Sequence, residues 1–389
     1  MRRRTFLEMA AALPLTTLAG AETTPGKRYR AAVIGDTKHG GYGHSLHMLW
    51  GLRDDVDVVA LSDPDEQGRA RHAQECRAQK TYANYREMLE AEQPDLVAVG
   101  PRWTINHEAY LKACAEIGAH GILEKPLTPD QAGADRALAA LEAKNLKWAI
   151  AFNFRASPVM AHLKQSLAEG VIGELLEVRG RGKEDRRAGG EDLIVLGIHL
   201  FDILIYLLGE PKWCEATVRD DGHLSTPDDV REATEPLGPI IGDNLNATYE
   251  FPGGLPVYFS SKHNRDGNGG RWGLDFYGSK GIITLRMGPV PRLRLLRDPS
   301  WAPGVDGPGW ALLPGAPEVN LADGRVGHYK FIVDDLMDAI VEDRRPAVSV
   351  QDARAAHEMI QGVWASHVNG ARVSLPVKQR EHPLENWTA

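Results

Sequence analysis

The sequence predicts an α/β protein in two parts: a doubly wound parallel sheet, then an α+β unit on an open, mainly antiparallel sheet. Three observations predict it. Short apolar runs alternate with helical stripes from Arg30 to Phe152, as in strands buried on both faces and joined by helices. After Phe154 the texture changes to two-residue alternation broken by glycine turns, with little helix between. The composition, 43% hydrophobic and 25% charged over 389 residues, is that of folded domains and excludes a disordered or collagen-like chain.

The first residues read as an address rather than as fold. Met1-Arg2-Arg3-Arg4 precedes a short apolar run through Leu15 and a small-residue site at Ala19-Gly20-Ala21, the make-up of a secretory signal. Arg3-Arg4-x-Phe6-Leu7 resembles the twin-arginine pattern, with Glu8 where lysine is often found. Residues 1–21 are therefore expected to be removed, after passage through the twin-arginine translocase to the periplasm or another exported location. The three cysteines, Cys76, Cys114 and Cys214, form neither a disulfide framework nor a zinc motif, and His44, His107 and His120 are too scattered to predict a metal triad. A net charge of −8 with no long basic run argues against nucleic-acid binding. No apolar run reaches the roughly 18 residues of a membrane-spanning helix.

The elements follow in order. Arg30–Gly35 reads as the first buried strand, Val56–Leu61 as the second, and Leu96–Val99, Gly121–Leu123 and Trp148–Phe152 as the next three. Ala134, Leu138 and Leu141 share one face of an intervening helix. A helix with proline in its first turn is expected from Pro158 to Glu169. Alternating strands are expected at Glu215–Val218, Asn246–Phe251, Val257–Ser261, Leu274–Tyr277 and Ile282–Leu285. Residues 287–327, rich in Pro and Gly, read as a long surface excursion. Stripes at Tyr329, Ile332, Val333, Leu336 and Ile340, then at Met359, Ile360, Val363 and Trp364, predict two closing helices.

The turn after the first strand, Gly35-Asp36-Thr37-Lys38-His39-Gly40-Gly41, has the glycines that let backbone N–H groups approach a pyrophosphate, with a helix expected after Gly43-His44. It departs from G-x-G-x-x-G: Thr37 replaces the second glycine, and the third is Gly40 or Gly41. Asp63, 28 positions after Gly35 at the end of the second strand, is placed to accept hydrogen bonds from a ribose diol and to repel a 2′-phosphate. NAD is thereby favoured, while the nearby Arg69 leaves NADP open. The plainer readings are a glycine-rich turn and a helix N-cap.

Three further segments share one register. Gly100-Pro101-Arg102-Trp103 precedes His107 at the start of a helix, Glu124-Lys125-Pro126 ends the next strand, and Gly197-Ile198-His199-Leu200-Phe201-Asp202 reads G-x-H-x-x-D. Together they resemble the Gfo/Idh/MocA family, that of glucose–fructose oxidoreductase and inositol dehydrogenase. The resemblance implies an NAD(P)-binding Rossmann domain over 22–150. Over 151–389 it implies a substrate domain whose open sheet floors the site and mediates dimers or tetramers. It implies contacts to the cofactor from Gly35, Thr37, Gly40, Gly41, Asp63, Pro101, His107 and Glu124, and a contact to both cofactor and substrate from Lys125. It further implies that His199 points at the reacting carbinol, that Asp202 holds the site or touches substrate, and that Asn153 and Arg155 face the pocket. One departure stands out: Val195 occupies the position, four before His199, where simple dehydrogenases of this type often carry aspartate.

These residue types suit alcohol oxidation. A base must take the hydroxyl proton as hydride leaves, and His199, or Lys125 with its pKa depressed by burial, can do so. A surface lysine, a core histidine and a locally paired aspartate are the plainer readings of Lys125, His199 and Asp202. The leading expectation is an exported oxidoreductase acting on a sugar, glycoside or cyclitol with a retained nicotinamide cofactor. The alternatives are a glycoside hydrolase working by transient oxidation, elimination and hydration, and a non-enzymatic binding protein.

Overall fold

The computed structural model describes residues 27–263, 270–302, 309–318 and 327–388. The signal assigned to 1–21 lies outside them. Six parallel strands, β1 (Tyr29–Ile34), β2 (Val56–Ser62), β3 (Lys80–Tyr82), β4 (Leu96–Val99), β5 (His120–Leu123) and β6 (Trp148–Ile150), form the first sheet in the order β3-β2-β1-β4-β5-β6. Ala31–Ile34 and all of β4 are buried, as expected of strands covered on both faces. Helices α1 (Glu66–Cys76), α2 (Tyr85–Glu92), α3 (His107–Ile117) and α4 (Gln131–Glu142) do the covering. Asp65, Asn84 and Asp130 cap α1, α2 and α4 by accepting from first-turn amides, and Gly118, at φ 78°, closes α3. Chain order reverses between β1 and β4, so the crevice at their carboxyl ends is where such a sheet takes a ligand.

The helix expected after Gly43-His44 is instead a 3₁₀ segment, Leu46–Leu52. Gly40, Gly41, Gly43 and Ser45 all have positive φ, so the chain coils from 36 to 45 and leaves no straight entry for an α-helix.

The second unit begins with α5 (Pro158–Ala168), capped by Ser157 with Pro158 in the first turn. Its large sheet contains β7 (Leu175–Arg181), β8 (Trp213–Asp220), β9 (His223–Leu224), β12 (Asn244–Phe251), β13 (Leu255–Lys262), β14 (Gly273–Gly278), β15 (Gly281–Arg286), β16 (Arg292–Leu296), β17 (Ala311–Leu312) and β18 (Val373–Ser374), while β10 (Arg231–Glu232) and β11 (Pro239–Ile240) make a separate ribbon. The order is β17-β16-β15-β14-β7-β13-β12-β8-β18, with β9 on β8; β13 and β7 run parallel and the other pairs antiparallel. Residues 287–327 are not simply an excursion. Leu293 and Leu295 are buried between exposed Arg292 and Arg294, which makes β16 a sheet strand and gives β17 an edge to join. Residues 303–308 and 319–326 of that stretch lie outside the described residues.

Helices α6 (Ile198–Leu208), α7 (Lys330–Val341) and α8 (Val350–Asn369) complete the fold. A π-helical segment, Leu193–Gly197, leads into α6. The α8 N-terminus carries a reciprocal cap between Ser349 and Asp352. α8 packs on α6 and β8 and also reaches α4, where Arg354 pairs with Asp135 at 2.6 Å. The two units thus meet through a helix face and an ion pair, with the ends of β4–β6 turned toward the start of α6.

Candidate active site

One cavity of about 270 Å³ lies at that junction, and Lys125, Asn153 and His199 all line it. Lys125 leaves the end of β5 and is 5% exposed; its Nζ donates to the Val195 carbonyl at 3.2 Å. Burial drives its pKa below the ordinary lysine value, against the opposing pull of Glu124 and Glu235. His199, at the start of α6, is ringed edge-on by Phe152, Phe154 and Trp272 at centroid distances of 5.7, 5.0 and 6.4 Å. That apolar cage, with Lys125 and His44 near it, holds the imidazole well below its ordinary pKa. His199 is therefore neutral at neutral pH, and its Nδ1 is buried without a partner. Such an orphan is costly unless a ligand or water meets it.

Glu124 is fully buried and faces the cavity wall through His44, whose Nδ1 lies 3.0 Å from its carboxylate and whose amide donates to it at 3.2 Å. Burial alone would raise the Glu124 pKa, but His44 and Lys125 reverse the direction and hold it low. Gly43, at φ 57°, makes this docking possible, because a Cβ there would overlap the Glu124 carboxylate.

Two expected pocket residues turn away. Asp202 and Arg155 are bound to each other at 2.8 Å and do not line the cavity. Arg155 also meets Asp352 at 3.3 Å and the Ala347 carbonyl at 2.7 Å, and its guanidinium lies over the Tyr206 ring. The pair ties α6 to the start of α8. Burial raises the Asp202 pKa to about 7 despite Arg155. Pro101 and His107 are likewise structural: His107 is fully buried, with Nε2 2.7 Å from the Pro101 carbonyl and Nδ1 2.9 Å from those of Pro126 and Leu127, and so binds the ends of β4 and β5 together.

The expected phosphate turn is engaged with itself. Asp36 takes the amides of Lys38 and His39 on its carboxylate at 3.2 and 3.1 Å, and Asp36 and Gly41 exchange backbone hydrogen bonds. Thr37 donates its amide and hydroxyl to Asp63, at 3.1 and 2.6 Å. Gly40 packs on the backbone of Arg102 and Trp103. Over Gly35 lies the ring of Tyr42, so close that a Cβ on Gly35 would fall inside it, and the Tyr42 hydroxyl also donates to Asp63 at 2.8 Å. Asp63 is fully buried and holds the Asp65 amide as well. The residues therefore fit a nicotinamide at the Lys125 end, where an orphaned imidazole nitrogen waits. They fit an adenosine at the Asp63 end only after residues 36–45 move, because the ribose acceptor already carries the chain's own donors.

The charged run 183–187 divides: Lys183 and Arg187 line the cavity, while Glu184 is buried against Arg271. Glu191 holds Thr234, and Asp192 holds Ser261 and the amides of Lys183 and Glu184. Tyr42, Arg102, Arg187 and Glu235 were not singled out by sequence; only Arg102 lies inside a quoted motif. Of the tryptophans, Trp272 lines the cavity, Trp301 donates to the Gly278 carbonyl and Trp310 is partly exposed. One histidine group escaped sequence reading: His47, His72 and Glu75 come together beneath Tyr42. The Arg71 guanidinium lies 2.8 Å from His72 Nε2, and both histidines bond to Glu75, so the group is a hydrogen-bonded support for the Tyr42 ring.

Comparison with known proteins agrees with this architecture. Residues 29–152 match the oxidoreductase family described as NAD-binding Rossmann fold, and 164–375 match that family's C-terminal alpha/beta domain. The chain is 29% identical over 225 residues to D-apiose dehydrogenase of Paraburkholderia graminis, covering 55% of this chain and 59% of that protein. It is 26% identical over 203 residues to levoglucosan dehydrogenase of Pseudarthrobacter phenanthrenivorans, covering 46% of this chain and 52% of that one, so the match spans little more than half of either relative. The solved structure of a levoglucosan dehydrogenase in complex with NADH and levoglucosan superposes with a TM-score of 0.71 over 90% of this chain and 100% of that one, at 20% identity, a likeness of fold. With both of its domains matched in sequence order, the chain belongs to the Gfo/Idh/MocA oxidoreductase family, and its N-terminal unit is that family's NAD-binding domain.

Proposed function

We propose that the chain is an exported, NAD(P)-dependent oxidoreductase that moves hydride between a retained nicotinamide cofactor and a secondary alcohol of a sugar, glycoside or cyclitol. The observation that carries this reading is the single cavity in which Lys125 and His199, from separate units, meet beside Asn153. The two named dehydrogenases it resembles act, by their names, on apiose and levoglucosan. Export rests on the twin-arginine-like start. A homodimer or homotetramer through the large sheet is part of the same proposal.

The nicotinamide, when bound, supplies the hydride acceptor. Lys125, whose pKa burial lowers from the ordinary lysine value, accepts the hydroxyl proton at Nζ, and the Val195 carbonyl aims that nitrogen. Of the two bases offered by the sequence, Lys125 takes the proton and His199 has the orienting role. Its aromatic cage leaves the imidazole neutral, suited to orienting the hydroxyl by a hydrogen bond. Val195 offers no carboxylate relay, so its main chain takes over the positioning.

The test is to incubate the mature chain with NAD and a panel of sugars, cyclitols and chromogenic glycosides. Nicotinamide reduction matched by a keto product is the expected result. Aglycone release without net reduction would move the assignment to the redox-neutral hydrolase. Neither reaction, with Lys125→Ala and His199→Ala binding sugars as the parent does, would return the chain to a binding protein.

A further inference from the structure

The wall of the cavity is rich in cations. Arg102, Lys183 and Arg187 line it alongside Lys125, and Glu235 is the one acid among the described lining residues. The acids that balance these cations stand outside the lining. Lys183 and Arg187 share a single carboxylate, Asp185, at 3.3 and 2.7 Å, and Glu124 is buried behind Lys125. Arg102 reaches Glu235 at only 3.4 Å, and its Nε is buried without a partner. Trp272 Nε1, another donor in this wall, is also buried and unpartnered.

Arginine, lysine and the indole N–H can donate but never accept. Each hydroxyl of a neutral sugar brings a proton that needs an acceptor, and among the described lining side chains those are Asn153, Glu235 and the two histidines, beside four cations. A carboxylate only accepts, and it takes planar, charge-assisted hydrogen bonds from guanidinium groups. Resting on the oxidoreductase reading, we propose that the substrate is a sugar acid, a uronate or uronide whose carboxylate is held by Arg102, Lys183 and Arg187 while its carbinol faces Lys125 and His199.

The test uses matched pairs: methyl glucuronoside against methyl glucoside, galacturonate against galactose, and glucose 6-phosphate as an anion of different shape. Specificity is read as kcat/KM with NAD, and binding is read separately by calorimetry on the cofactor-free chain. The expected result is a preference of about a hundredfold for the carboxylated partner in both readouts, shrinking with added salt. Arg187→Met and the more exposed Lys183→Met should each cut that preference about tenfold. Equal or better use of the neutral partner overturns the proposal, and so does a preference for the phosphate. Failure of every pair to reduce NAD, with the carboxylates still bound preferentially, overturns the oxidoreductase reading and leaves the anion site standing.

Discussion

The Tyr42 hydroxyl donates to the Asp63 carboxylate at 2.8 Å across the bare Cα of Gly35, and by doing so fills the ground on which an adenosine ribose would rest. Thr37 adds two more donors to the same carboxylate, and Gly68, lacking a side chain, lets Thr37 approach. A dinucleotide that reaches Asp63 must break these contacts, so part of its binding energy is spent on opening the 36–45 loop.

Tyr42→Phe removes one hydrogen bond from the closed loop and leaves the ring. A hydrogen bond to a charged group contributes on the order of 1.5–3 kcal/mol, so NADH affinity should rise roughly tenfold or more. Calorimetric titration of both chains checks this. Equal affinities would mean that Tyr42 does not compete for the ribose site.

The pH dependence of alcohol oxidation should follow Lys125. Below its pKa the amine is protonated and cannot take a proton, so the rate should rise with pH. The midpoint should lie below the ordinary lysine value, because burial lowers it. His199, held neutral by its cage, should contribute no step near the ordinary histidine value. Lys125→Ala should lower kcat by about 10²–10⁴-fold and abolish the pH step. A profile unchanged by that substitution, measured by steady-state kinetics across pH, would remove Lys125 from the proton transfer.

Arg155 should govern stability. Arg155→Met leaves buried Asp202 and Asp352 without their shared cation and should cost about 3–5 kcal/mol in urea unfolding. Asp202→Asn, which removes a carboxyl already raised to about 7, should cost much less near neutral pH and less again above it. The sign follows from the shift. A carboxyl whose folded pKa lies above its unfolded value contributes most at low pH, and that contribution fades as pH rises through about 7. Equal losses for the two variants would contradict the shared-cation account.

Much of this architecture is legible in the residues alone. The central strands of the parallel sheet are continuous apolar runs, and Leu96–Val99 begins and ends where expected. β7 is not legible: Leu175-Leu-Glu-Val-Arg-Gly-Arg181 mixes charges into a strand that lies inside the large sheet, where only Val178 and Gly180 are buried. Lys125 and His199 could be paired from motifs because each closes or opens a regular element at a fixed register. Tyr42 could not, since its place depends on a backbone with positive φ at four of the six residues from Gly40 to Ser45. Nor could the engagement of Asp202, three positions after His199 on the same helix, with an arginine 47 residues earlier.

The account stands most directly on whether a pyridine nucleotide binds beside Lys125 and His199. The decisive measurement is NADH titration of the purified, nucleotide-stripped chain and of its Tyr42→Ala variant, with mass spectrometry of small molecules released from the untreated protein. The account predicts NAD among those molecules or saturable binding by the stripped chain, tighter in the variant and weakened by Lys125→Ala. No released nucleotide and no saturable binding by either chain would contradict it.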